Sequence, residues 1–154
     1  MVKAMKKFGI FLIVIALAML VSCASASMDL FDTKKIDMGG YTVTVPDVTG
    51  INYPQVKSVY ATITQGETDW FSTDISGYYT QFHVDLNWGD VTDSLRLKVY
   101  SPDGYTFGYY YDSFDGSNNG RIELNINNNN GIAEGTWYCE VYGYDVTGTE
   151  DYTI

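Results

Sequence analysis

The chain has 154 residues, and nine Lys and Arg against nineteen Asp and Glu give it a formal net charge of −10. Nucleic acid is excluded as a partner, because neutralising phosphates takes a basic face and this composition has none to spare. Its length predicts one domain with a single core.

In chain order, Lys3, Lys6 and Lys7 precede Phe8 to Val21, an uncharged apolar run. This is the layout of a secretory signal, predicted over residues 1–22. It is short for a permanent span, which takes about 20 apolar residues. Leu20-Val21-Ser22-Cys23 resembles a lipobox, in which the peptide is cut before Cys and that Cys receives lipid. Cys23 is thus the expected lipid attachment, and the domain an exported lipoprotein of the cell surface. Two alternatives stay open: cleavage after Ala24-Ser25-Ala26, which would release a secreted protein, and a retained signal anchor. Removing residues 1–22 takes three of the nine cations, leaving six against nineteen acids, a net charge of −13. A surface so acidic disfavours anionic headgroups, so membrane attachment is assigned to the N-terminus.

Residues 23–40 are polar and aperiodic, a tether; residues 41–154 are the expected folded domain. Tyr41 to Val45 alternates and stops at Pro46, and Val56 to Thr64 makes a second run. Phe82, Val84, Leu86 and Trp88 alternate with Gln81, His83, Asp85 and Asn87, and Leu95, Leu97 and Val99 with Arg96, Lys98 and Tyr100. That period of two marks strands with one buried and one wet face. Ser101-Pro102-Asp103-Gly104 is a turn, with Pro presetting φ, and Tyr105 to Tyr111 returns as a hairpin partner. Ile122, Leu124 and Ile126 alternate, as do Trp137, Cys139 and Val141; Tyr152 to Ile154 is expected at the sheet edge. Seven or eight strands without an amphipathic helix predict an all-β antiparallel β-sandwich.

Gln65-Gly66-Glu67-Thr68-Asp69-Trp70-Phe71, Phe82-His83-Val84-Asp85-Leu86, Asp93 to Gly104, and Gly135-Thr136-Trp137-Tyr138-Cys139-Glu140-Val141-Tyr142-Gly143 followed by Gly148 and Tyr152 occur in that order. With them the stretch from Ile63 to Ile154 resembles the bacterial and archaeal pre-peptidase C-terminal domain, over about 90 residues. The resemblance implies a jelly-roll-like sandwich serving as an accessory or binding module of secreted peptidases. Here no peptidase motif accompanies it, so the implied role is that of a stand-alone envelope module.

The candidate chemistry is sparse. One histidine, His83, sits on the polar phase of its strand and is expected to be exposed; no HExxH, GxSxG or cysteine–histidine spacing occurs. A nucleophilic triad or zinc site is therefore not expected, and the reading is non-enzymatic, with a hydrolase working through paired carboxylates the lesser alternative. Cys139 alternates with Trp137 and Val141, a small buried residue. Calcium is a possible ligand, since Asp112, Asp115, Asn118 and Asn119 gather hard oxygen donors in one loop, and Asp85, Asn87, Asp90 and Asp93 form a weaker cluster. The aromatic excess is larger: fourteen Tyr, three Trp and seven Phe. Trp70, Trp88 and Trp137 are expected in the core. Tyr100, Tyr109, Tyr111, Tyr138 and Tyr142 fall on outward phases and form a candidate ligand-binding patch for a protein or glycan polymer of the envelope. A structural component that associates with itself is the competing expectation.

Overall fold

The computed structural model describes residues 38–46, 54–56 and 58–154. The signal, Cys23 and the tether as far as residue 37 lie outside the described residues. The strands are β1 (Thr42–Thr44), β2 (Tyr60–Thr64), β3 (Thr68–Ile75), β4 (Gln81–Asn87), β5 (Ser94–Tyr100), β6 (Thr106–Tyr111), β7 (Arg121–Asn127), β8 (Gly135–Asp145) and β9 (Thr149–Thr153). Among the described residues one short 3-10 turn, Asp112–Asp115, is the only helical element, and no helix is long and apolar enough to cross a membrane.

The strands form two antiparallel sheets, ordered β1-β7-β4-β9-β2 and β3-β8-β5-β6. With β1 set aside, the order is that of a jelly roll, two interleaved Greek keys of four strands per sheet. The predicted all-β sandwich is thus the observed fold. β1 is an extra edge strand, paired with β7 through Thr42 to Asn127 and Thr44 to Asn125.

The alternating residues fill the space between the sheets. Phe82, Val84 and Leu86 from β4 and Ile122, Leu124 and Ile126 from β7 face Leu95, Leu97 and Val99 from β5 and Trp137, Cys139 and Val141 from β8, all buried. Trp137 is the hub: its ring lies 5.0 Å from that of Phe82 and 6.0 Å from those of Phe107 and Tyr41. Its indole N–H donates to the Ala133 carbonyl at 2.9 Å, so burial leaves no orphan donor. Cys139 is a buried core thiol as expected, and burial pushes its pKa up to about 12.

Three expectations are corrected. β3 was not predicted as a strand because its inward phase, Asp69, Phe71, Thr73 and Ile75, is only half apolar; Asp69 is accommodated there by the Tyr152 hydroxyl at 2.7 Å. β9 is not an edge strand. It pairs with β2 along Tyr60 to Thr64 and touches β4 at Asn87, placing it inside the five-stranded sheet. Trp70 is not core: it shares the outward phase of β3 with Thr68, Ser72 and Asp74 and is 56% exposed.

Candidate functional site

The outward residues of the four-stranded sheet can be read off its register. Thr68, Tyr142 and Arg96 lie side by side across β3, β8 and β5, with Tyr111 of β6 opposite Arg96. The next row is Trp70, Glu140 and Lys98, and the third is Ser72, Tyr138 and Tyr100. On β6 a bulge intervenes. Val99 pairs with Phe107 and Leu97 with Tyr110, so one extra residue occupies β6 between the two pairs. Phe107 is consequently buried, while Tyr109 and Tyr111 turn outward. Gly108 makes this possible, since its φ is +116° and a Cβ there would come within 2.8 Å of the Leu97 carbonyl oxygen. All five predicted tyrosines are thereby brought onto one face.

Residues that the sequence reading did not assign to a site complete it. The Arg96 guanidinium carbon lies 3.8 Å from the ring centroid of Tyr109 and 4.3 Å from that of Tyr142, packed between two aromatic faces. Lys98 Nζ is 4.8 Å from the Tyr109 centroid and 5.0 Å from that of Tyr100. Each such contact contributes about 0.5–1 kcal/mol at an exposed site. Trp70 and Tyr100 meet at 5.4 Å across β8, and Tyr111 meets Tyr144 edge-on at 5.0 Å. The Tyr100 hydroxyl donates a short hydrogen bond to Glu140. Burial, then Glu140, raises the Tyr100 pKa, while the Tyr100 hydroxyl holds the Lys98 ammonium above its ordinary range. Arg96 Nε is buried without a hydrogen-bond partner. Trp70, Tyr109 and Tyr138 remain about half exposed, at 56%, 48% and 47%. Their visible signal was phase: Trp70 alternates with polar residues, and Arg96 and Lys98 with buried leucines.

The outer face of the five-stranded sheet is different. Arg121 donates from Nε and Nη2 to both oxygens of Asp85, at 2.7 and 2.9 Å, and its Nη1 reaches Glu123 at 3.2 Å. His83 is buried rather than exposed as predicted. Its Nδ1 is 2.9 Å from Asn125 Oδ1, its Nε2 is 3.5 Å from Glu123, and its backbone N–H donates to the Pro54 carbonyl. Gln55 pairs with it as an added parallel bridge, a nonlocal cover that alternation along β4 does not show. These groups line a polar cleft of about 390 Å³, and each is engaged with a neighbour.

In the predicted calcium loop, Asp112 is buried and turned toward its own backbone. Its carboxylate accepts from the N–H groups of Asn119, Gly120 and Arg121 at 3.1 to 3.2 Å. Asp115 accepts from the Ser117 N–H at 2.8 Å. Asp112 therefore ties the loop that leads from the 3-10 turn into β7. The second cluster is dispersed: Asp85 pairs with Arg121, Asp90 takes the Thr92 N–H and hydroxyl, and buried Asp93 takes the Thr147 N–H. Among the described residues no three His, Cys, Asp or Glu side chains converge on a metal position.

No family model matches the chain, and no solved structure does. An uncharacterized protein of Archaeoglobus fulgidus is 41% identical to it over 49 residues, covering 32% of this chain and 68% of that protein. The chain therefore belongs to one family with that Archaeoglobus fulgidus protein, whose description lends it no activity.

Proposed function

We propose that this domain is a non-enzymatic module of the cell surface that holds a polymer of the envelope, protein or glycan, on the outer face of its four-stranded sheet. The observation that carries this reading is the gathering of Tyr100, Tyr109, Tyr111, Tyr138, Tyr142 and Trp70 on one outer face, four of them exposed. Rings that are half exposed offer a large apolar area together with a hydroxyl at low conformational cost, which suits a polymer laid across them. A jelly-roll strand order is what the resemblance to the pre-peptidase C-terminal domain implies, and export through residues 1–22 with lipid on Cys23 would set the domain at the membrane surface. Mass spectrometry of the mature N-terminus tests the anchor: a lipidated Cys23 supports it, and an unmodified Ser27 start overturns it.

Calcium has no part in this reading, because Asp112 is committed to backbone N–H groups. Heat on calorimetric titration with calcium, with a raised Tm, would restore it. The function itself is tested by retention on isolated envelope material. Tyr109→Ala with Tyr111→Ala should lower retention with the fold intact, and unchanged retention would remove the aromatic face from consideration. A second reading, self-association, draws on β3, an edge strand of eight residues. Sedimentation that stays monomeric up to high concentration would end it.

A further inference from the structure

The described residues include three cationic side chains, Arg96, Lys98 and Arg121, against fifteen acidic ones. Arg121 is neutralised by Asp85 and Glu123. Arg96 and Lys98 are not: among the described residues no carboxylate comes within ion-pair distance of either. They are two residues apart on β5, on the same outward phase, with tyrosine rings beside both. Glu140, the cross-strand neighbour of Lys98, accepts the Tyr100 hydroxyl. In a domain this acidic, two cations beside the single carboxylate of Glu140 at the centre of the aromatic face are a local reversal of charge, and they complement an anion.

We propose that Arg96 and Lys98 recognise the carboxylates of an acidic polysaccharide whose sugar rings pack on Tyr109, Tyr138 and Trp70. The inference rests on the reading that this face is the binding surface, and it names the class of polymer. A peptide gains much of its affinity from main-chain hydrogen bonds along an open sheet edge. β5, which carries both cations, offers none, because β8 and β6 pair with it on both sides; the open edges of the sheet, β3 and β6, lie to either side of the charged centre. A uronic acid residue carries a C–H face for an aromatic ring and a carboxylate for a guanidinium or ammonium in one repeat. Both needs of this surface are met by side chains alone.

The test compares the affinity of the full chain for polygalacturonate and for its methyl-esterified form, which keeps the backbone and removes the charge. At about 0.15 M salt the screening length is about 8 Å, which mutes the acids elsewhere on the domain. Two charge contacts, each worth about what a surface ion pair contributes, predict binding to the free acid roughly tenfold tighter than to the ester. Arg96→Gln with Lys98→Gln should abolish that preference while leaving the circular dichroism unchanged; if the pair fails to fold, Lys98→Gln alone should halve or further reduce it. Equal affinity for acid and ester would overturn carboxylate recognition and leave the aromatic face standing. Polyglutamate or anionic phospholipid vesicles bound as tightly as polygalacturonate would overturn the polysaccharide. Binding to neither polymer would also overturn the inference, and the tyrosine variants on envelope material would then decide separately whether the face binds at all.

Discussion

The two outward faces of this sandwich rest on the same pleat and end in opposite states. On the five-stranded sheet, Arg121 meets Asp85 and Glu123, and His83 meets Asn125 and Glu123, so the one described cation of the face is paired within it. On the four-stranded sheet, Arg96 and Lys98 meet aromatic rings and form no ion pair, Glu140 acting on Lys98 only from beyond that distance, and Trp70, Tyr109 and Tyr138 stay open to water. A polar surface that satisfies itself has little left for a partner. One whose cations and rings remain open can gain on contact, because association adds interactions without breaking existing ones. Under the proposed function, that difference gives a structural part to one face and recognition to the other.

Substitutions can break that assignment. The largest effect belongs to the core beneath both faces: Trp137→Ala should cost about 3–5 kcal/mol, the usual range for deleting a buried aromatic, and chemical denaturation measures it. Retention on envelope should then fall only as far as the fold does. Arg121→Ala leaves Asp85 and Glu123 unanswered on a face that is partly solvated, so the loss should be about 1 kcal/mol, with retention unchanged. A matching loss of retention would show that the polar cleft takes part in binding. Tyr138→Ala is the mirror case. Being half exposed, it should change stability by no more than about 0.5–1 kcal/mol and yet weaken envelope binding severalfold in a pull-down.

The smallest effect is one of pH. Glu150 on β9 has its pKa raised by burial and then by the carboxylates of Asp93, Asp90 and Asp151. A carboxyl whose folded pKa lies above its unfolded value holds its proton more tightly when folded. Its ionisation therefore costs stability above that pKa, and the cost disappears as pH falls through it. Glu150→Gln should accordingly raise Tm at neutral pH by a few degrees at most, with the gap to the parent closing on acidification. A gap that widens in acid would contradict the assignment.

Most of the fold could be read from alternation, because Phe82 to Leu86, Leu95 to Val99 and Ile122 to Ile126 each bury one phase completely. β3 escaped because its inward phase includes Asp69 and Thr73, and Asp69 is held there by Tyr152, 83 residues away. The tyrosines were legible as outward residues one strand at a time. Their convergence was not, since it depends on strand order and on the β6 bulge that aims Tyr109 over Arg96. Trp70 was misplaced because a large aromatic suggests a core, whereas its polar phase mates point outward. His83 was misplaced for the reverse reason: alternation gave its side correctly, and the Pro54 to Val56 segment and Glu123 then covered it.

The most direct test of the division between the two faces is hydroxyl-radical footprinting of the protein with and without saturating isolated envelope material. Trp70, Tyr109 and Tyr138 should become protected, while Tyr60 on β2 and Tyr78 before β4, which are more exposed still, should keep their labelling rates. Protection of Tyr60 and Tyr78 with Trp70, Tyr109 and Tyr138 labelled as before would contradict the account and move the binding surface off the four-stranded sheet.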